Sequence, residues 1–539
     1  MSFHMKRNFI IIAICIAIPF LILVLHLSTS PRFVSLSPDS GVFAYAGKLV
    51  TEGKIPYRDF FDHKPPLIYY LNAFAIYLMG SSPWSIWWLD VFYLSLTGIT
   101  LFLLLVIITD LPSATMGVGI FIFTLMTPRF FLGGNLTETY GLLPQILIIG
   151  TMYGFFKNKN GWWIFGAGLL TAGASLFKQT NIALGIGAFL TLVSLALLSR
   201  QPSKAIKSGL IFSTAFILPW ILVTSIWALL GSFRQFWDAV FAYNFYYIEG
   251  GFSLNSLYST YQTLLVAMPL MPLIIISFSS FLVFISGIRE YIHHFNNTTE
   301  TSQQGIVTAA KELTFFTVFW AIPFEILFIT LSGRNYGHYY ISLLPGIVFA
   351  CSYLFCKLIN KIKSKSIGQV ASIGFVSSLL VIWFIPTFYS IHPQRQHLAS
   401  LQYLRDKSLA QNDIVPFIMS HSAPDDPVLV WQVKPELNLI AGRPEPSKYI
   451  YPLPLFAESG EGESRFDEFL SEIAANPPQL VLVAENDATV PAFDAPDEDL
   501  CPSCKPYALE GMKKLKSFIL SNYYIASEIN GTRIFERVK

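Results

Sequence analysis

The chain has 539 residues, 53% hydrophobic and only 13% charged, with a mean hydropathy of +0.52. Soluble domains carry about 25% charged residues, so the composition excludes an ordinary soluble protein and predicts an integral membrane one. The net charge of +2 is uninformative about partners, because the sign is distributed by loop; nucleic acid is not indicated, and five cysteines are too few for a disulfide scaffold.

The first stretch, "MSFHMKRNFIIIAICIAIPFLILVLHL", joins a basic start to an apolar run over 9–27. The run is longer than a signal-peptide core and no small-residue cleavage site follows it. It reads as an uncleaved first transmembrane helix with a cytoplasmic N-terminus. Further apolar runs lie at 84–109, 113–127, 138–156, 161–176, 180–198, 206–230, 261–286, 312–331, 339–358 and 368–388. The run at 65–80 is shorter and begins with "KPP". If it does not cross, the basic loops "KNKNG", "RQPSKAIK" and "KLINKIKSKS" all face the cytoplasm, as the positive-inside tendency demands. We therefore expect 65–80 to be an in-plane or re-entrant helix, with about eleven spans and an outward C-terminus.

That topology gathers the loops 28–64, 128–137, 177–180, 231–260 and 332–338 on one outer face. The cytoplasmic loop 287–311, with "HFNNTTETSQQ", reads as a flexible linker. From about 391 the composition changes. "DDPVLVW" and "PPQLVLVAEND" read as short buried strands, "SRFDEFLSEIAA" and "YALEGMKKLKSFIL" as amphipathic helices, and the end as a hairpin around Asn530-Gly531. The predicted organisation is a polytopic α-helical membrane domain, 1–390, followed by a small extracytoplasmic α/β domain, 391–539.

The polar chemistry begins directly after the first hydrocarbon run, in "SPDSGVFAYAGKLVTEGKIPYRDFFDHKPPL". A charge costs about 2.5–3.5 kcal/mol at a bilayer centre even on the lenient insertion scale, so this cluster asks for a reason. Asp39 reads as the N-cap of an amphipathic helix carrying Val42, Tyr45, Ala46, Leu49 and Val50 on one stripe and closed by Gly53. A carboxylate held at the lipid–water boundary can also take a proton from an acceptor hydroxyl. Phe60 and Phe61 are expected to anchor the loop at headgroup level. Lys64 either snorkels to headgroup phosphates or binds the phosphate of a lipid carrier. Asp59, Asp62 and His63 read as loop hydrogen-bonders.

Further along, "GGNLTETY" sets Glu138 at the outer, positive end of a helix, with Asn135 or Thr137 as its cap. Asn135 also opens a glycosylation sequon, too near the membrane to be a good acceptor. Lys178 in "LFKQTN", and Arg334, His338 and Tyr339 in "SGRNYGHYY", add cations and hydrogen-bonding groups to the same face. Cys501-Pro-Ser-Cys504 reads by default as a local disulfide; its spacing also suits a redox pair or half a zinc site, but no second CxxC accompanies it.

Together these residues resemble the GT-C class of integral-membrane glycosyltransferases, in particular the protein O-mannosyltransferase and lipid A aminoarabinose transferase group. That family's first outer loop carries an acid followed by a "DxHPPL" or "EKPPL" element, which Asp39 and "FFDHKPPL" match in order and spacing. The "GGNLTETY" acid, the "HYYISLLP" segment and a C-terminal outer domain also match. The resemblance implies transfer of a sugar from a polyprenyl-phosphate donor to a lipid, glycan or protein acceptor by a single inverting displacement. By the same resemblance, Asp39 is the general base with Glu138 as the second acid. Lys64 binds the donor phosphate, and Lys178, Arg334, His338 and Tyr339 assist there. No cofactor is implied, although a divalent ion between Asp39 and Glu138 is left open. Two departures bear on the acceptor: Ser40 stands where the mannosyltransferases carry a second acid, and their lumenal repeat domain is missing. The alternatives are a polysaccharide ligase or polymerase using a lipid-linked oligosaccharide, and a transporter. A transporter fits less well, because no internal repeat is visible and the charges lie mostly at helix ends, with Asp90 and Glu325 the main exceptions.

Overall fold

The computed structural model describes residues 3–248, 253–262, 270–296, 303–334, 336–361, 367–391, 413–456, 462–484, 490–496, 498, 500–501 and 504–538. Hydrocarbon runs cannot leave backbone groups unpaired in lipid, so they become helices. The membrane bundle is built from α1 (Phe3–His26), α4 (Pro83–Ile108), α5 (Leu111–Leu125), α7 (Thr137–Asn158), α8 (Gly161–Ser175), α9 (Ala183–Leu198), α10 (Pro202–Leu229), α14 (Met271–Asn296), α15 (Gln303–Thr330), α16 (Leu344–Lys361) and α17 (Ile367–Ile391). Eight of the described helical segments are long and apolar enough to cross a membrane on length and composition alone. The predicted run at 261–286 is helical from Met271; 263–269 lie outside the described residues, as do 297–302 of the expected linker.

The helix α3 (Leu67–Met79) has 13 residues, about 20 Å at 1.5 Å per residue, whereas a span needs about 20 residues. Its ends also lie at the same end of the bundle. α1 and α4 run antiparallel, with Ile18 against Gly98, and Trp87 near the start of α4 donates from Nε1 to the His26 carbonyl at the end of α1, at 3.1 Å. The chain thus enters α4 at the level where it left α1, and α3 does not cross. Small residues bring the long helices together. A Cβ on Gly168 would meet the Phe212 carbonyl oxygen at 2.4 Å, and one on Gly187 the Thr317 carbonyl oxygen at 2.4 Å.

The C-terminal part forms a four-stranded sheet from β1 (Val428–Trp431), β2 (Leu480–Ala484), β3 (Tyr523–Ile529) and β4 (Thr532–Arg537), in the order β1-β2-β4-β3. β1 and β2 are parallel, with Val430 opposite Leu482, and both other pairings are antiparallel. Asn530 and Gly531 have φ of 50° and 71°, the two left-handed positions of a tight hairpin turn. Helices Gly462–Ala475 and Pro506–Asn522 bury Phe466, Phe469, Met512 and Leu515 against it. Strands, helices and hairpin fall where the sequence predicts them. The expected boundary at 390/391 adjoins 392–412, which lie outside the described residues.

This unit packs on α2 (Pro38–Thr51) and on the loop after it, which changes two expectations. α2 is not an amphipathic helix lying on a leaflet: Ser40 through Gly47 and Leu49 are all buried. One side meets α3, where Gly47 abuts Asn72, and another meets Glu436 and Glu445, where Gly41 abuts the Glu436 carboxylate and Tyr45 Oη accepts from the Glu445 N–H at 3.0 Å. Phe60 and Phe61 are not headgroup anchors. Both are buried, because the C-terminal unit covers them: the Phe61 N–H donates to the Lys448 carbonyl at 2.8 Å and its ring lies 5.7 Å from that of Tyr449. Arg465 completes the joint, stacking on Phe61 and Tyr243 and pairing with Asp238 at 3.1 Å.

Candidate active site

The N-terminus of α2 carries the first acid. Ser37, not Asp39, is the N-cap: its Oγ accepts from the Ser40 N–H at 3.4 Å, and Pro38 takes the first helical position. Proline suits that place because its missing N–H would have no helical partner. The reading of Asp39 as the cap is thus corrected: Pro38 occupies the first helical position and puts the cap one residue before it, at Ser37. Asp39 therefore stands one residue inside the helix with its carboxylate uncommitted to capping. Its side chain is 51% exposed, and its Oδ2 lies 3.8 Å from His338 Nε2. At the far end Gly53, at φ 82°, closes α2 as a left-handed residue after the last turn.

The loop 54–66 supplies the second group. Asp59 is bound within the loop itself, accepting from the Ile55 N–H at 2.7 Å and from Arg58 Nε at 2.8 Å. Asp62 is a buried hub. It accepts from Tyr69 Oη at 2.8 Å, from Tyr451 Oη at 2.7 Å and from the His63 N–H at 2.8 Å, and its Oδ1 lies 3.2 Å from His63 Nδ1. Burial alone would raise the Asp62 carboxyl; the His63, Lys64 and Tyr451 partners outweigh it and hold it at about 2. Burial and then the Asp62 charge push Tyr69 and Tyr451 well above the usual phenol range, so both remain donors. Burial, and next Lys64, lowers the His63 imidazole, against the opposing pull of Asp62. His63 Nε2 in turn lies 3.0 Å from Lys64 Nζ. The loop backbone is fixed as well: the Lys64 carbonyl accepts from Tyr57 Oη at 2.8 Å and lies 3.0 Å from Tyr69 Oη, and the His63 carbonyl accepts from Asn244 Nδ2 at 2.9 Å.

The third group lies on α7 and the segments facing it. Glu138, buried in the first turn, pairs with Lys178 at 2.5 Å through Oε1 and accepts from Thr137 Oγ1 at 2.9 Å through Oε2. Lys178 Nζ also sits 3.8 Å from the centre of the Tyr339 ring, a cation–π distance. The Tyr339 ring in turn meets His338 edge-on at 4.8 Å. Neither Asn135 nor Thr137 caps α7, whose N-cap is Leu136. Asn135 is instead a buried tie, exchanging amide hydrogen bonds with Asn72 at 3.0 Å and donating to the Ser40 carbonyl at 3.2 Å. Its sequon is closed by burial.

The structure thus gathers Asp39, Lys64, Glu138, Lys178, His338 and Tyr339 at one end of the bundle, with Asp62 and His63 behind Lys64. Arg334 is exposed on the turn before His338, and Asp59 supports its own loop apart from the cluster. Tyr451 and Asn244 were not read from the sequence as site residues; each reaches the loop across long chain separations that no local pattern marks. Asp90, noted as a charge within an apolar run, accepts from Tyr140 Oη at 2.7 Å and lies against Gly134, which makes it a tie between α4 and α7. Cys501 and Cys504 form the expected local disulfide. Among the described residues no group of three or more His, Cys, Asp or Glu side chains is arranged to hold a metal.

At the level of sequence, no family model and no curated protein matches the chain. Solved structures do match its fold. ArnT from Cupriavidus metallidurans in the apo state aligns with a TM-score of 0.52 at 14% identity, over 100% of this chain and 99% of that one. The same protein bound to undecaprenyl phosphate aligns with a TM-score of 0.51 at 13% identity, over 98% of each chain. The fold is therefore the one that the GT-C resemblance implies, a polytopic helical membrane protein with a small C-terminal unit.

Proposed function

We propose that the chain is a membrane glycosyltransferase that moves a sugar from a polyprenyl-phosphate carrier to an acceptor hydroxyl on the extracytoplasmic face, with residues 1–390 as the catalytic membrane domain and 391–539 as an extracytoplasmic domain. The observation that carries this reading is a half-exposed carboxylate, Asp39, beside a cluster of Lys64, Lys178, His338 and Tyr339 at one end of the bundle. Asp39 takes the acceptor's hydroxyl proton. The acceptor oxygen bonds to the anomeric carbon as the bond from that carbon to the phosphate oxygen breaks, with inversion. The carrier leaves as a phosphate monoester, and the lysines stabilise the charge it gains. Arg334 and His338 assist at the same phosphate. Glu138 is the weaker candidate for the base, because burial and its ties to Lys178 and Thr137 commit both of its oxygens. The likeness in fold to ArnT, whose structure is known with undecaprenyl phosphate, supports a lipid monophosphate donor.

The test is incubation of the purified chain in lipid with labelled polyprenyl-phosphate sugars and candidate lipid, glycan and peptide acceptors. A labelled product with inverted anomeric configuration is expected. Transfer only from diphosphate-linked oligosaccharides would replace this reading with a polysaccharide ligase or polymerase.

A further inference from the structure

We infer that His63 is the positioning residue for Lys64, and that Tyr451 of the C-terminal unit anchors the Asp62–His63–Lys64 series from outside the membrane domain. The inference rests on the reading of Lys64 as the donor-phosphate ligand. Asp62 is an acceptor only, so the His63 nitrogen facing it, Nδ1 at 3.2 Å, carries the imidazole proton. The neutral ring then presents a lone pair at Nε2, and the Lys64 ammonium at 3.0 Å donates to it. One ammonium proton is used in this way and two remain for a phosphate oxygen.

A lysine is a long flexible cation, and fixing it before the ligand arrives removes ordering cost from binding. The His63 ring is itself held, 5.2 Å from the Tyr243 ring, and its backbone carbonyl is taken by Asn244. Asp62 is held from both sides of the joint, by Tyr69 of α3 and by Tyr451, which lies 389 residues further along the chain. The Tyr451 hydroxyl is thereby the contact through which the C-terminal unit bears on this series.

The experiment is a double-mutant cycle on binding of undecaprenyl phosphate to the detergent-solubilised full chain. His63→Phe keeps a ring against Tyr243 and removes the acceptor; it is expected to weaken binding about tenfold, the scale of a hydrogen bond to a charged group. Lys64→Ala weakens binding at least as much, and the double variant binds no more weakly than Lys64→Ala alone, because His63 acts through Lys64. His63→Gln, whose amide oxygen can accept from Lys64, stays within about threefold of wild type; it decides the matter if His63→Phe does not fold. Wild-type affinity in His63→Phe, losses that multiply in the double variant, or a His63→Gln as weak as Lys64→Ala would each overturn the inference. Wild-type chain that binds no undecaprenyl phosphate overturns the donor reading beneath it instead.

Discussion

Lys178 and Glu138 form a buried ion pair at 2.5 Å, and the same ammonium lies against the face of Tyr339. Breaking one half of such a pair leaves a charge in a poorly solvated place, at a cost of about 3–5 kcal/mol. Lys178→Met should therefore lower the heat-unfolding temperature in detergent clearly. Adding Glu138→Gln should recover much of the loss by removing the stranded carboxylate. A double variant no more stable than Lys178→Met would mean that the pairing is incidental and that Lys178 stabilises through Tyr339.

Lys64 is tied to His63 on one side and supplies charge to the space around Glu138 and His338 on the other. Lys64→Ala should weaken polyprenyl-phosphate binding and slow transfer while the fold survives. Lys64→Arg should keep part of both, because the charge remains although a planar guanidinium cannot copy the ammonium's geometry. Donor affinity and turnover measured side by side decide it; normal values in Lys64→Ala would return this residue to the role of a snorkelling flank.

The hydrocarbon runs were legible because length and apolarity alone dictate helices in lipid, and the two inner strands because VLVW and LVLVA are short, β-branched-rich and flanked by turn signals. Convergence of the polar loops followed from loop charge, and the contacts between Asp39 and His338 and between Glu138 and Lys178 agree with it. What stayed hidden depends on partners far along the chain. The stripe on α2 looks amphipathic in isolation, yet the helix is buried by α3 on one side and by Glu436 and Glu445 on the other. Phe60 and Phe61 look like membrane anchors until a unit nearly 400 residues later covers them. Tyr451 carries no local signal for its bond to Asp62.

Topology is open to a direct check. The proposed orientation sets Lys159 and Lys204 in the cytoplasm and Asp39 and the C-terminal unit outside. All three residues are exposed, and Lys514, with a side chain 52% exposed, reports for the C-terminal unit. Single cysteines at these positions, with Cys15, Cys351 and Cys356 replaced by serine, should react with a membrane-impermeant thiol reagent from outside only at 39 and 514. Labelling at 159 from outside would reverse the loops and disperse the proposed site.

Glu445 gives a prediction on pH. Its Oε1 accepts from the Val430 N–H at 3.3 Å while its buried Oε2 has no partner among the described residues, and burial raises its carboxyl well above the usual range despite that one bond. The folded chain thus holds a proton that the unfolded chain releases near about 4.3. Stability from this group is complete below that value and is lost as pH rises towards the folded-state pKa. Glu445→Gln keeps the acceptor and cannot ionise. Its melting temperature should match wild type near pH 4 and exceed it at pH 8, by the equivalent of about 1–3 kcal/mol. A variant less stable than wild type at pH 8 would show that the carboxylate is charged and satisfied.

Asp39 as the base carries most of the proposed chemistry. General base catalysis contributes about 10²–10⁴-fold, so Asp39→Asn should lose roughly that much turnover. Because Ser37 is the cap, the substitution leaves the start of α2 intact; stability and donor binding should hold while transfer fails. Glu138→Gln is the comparison, and its buried pairing with Lys178 predicts lost stability or altered donor binding in place of a pure loss of turnover. An active Asp39→Asn beside an inactive, stable Glu138→Gln would exchange the two roles. Normal transfer by both variants would leave neither carboxylate as the base, and the displacement proposed here would have to be abandoned.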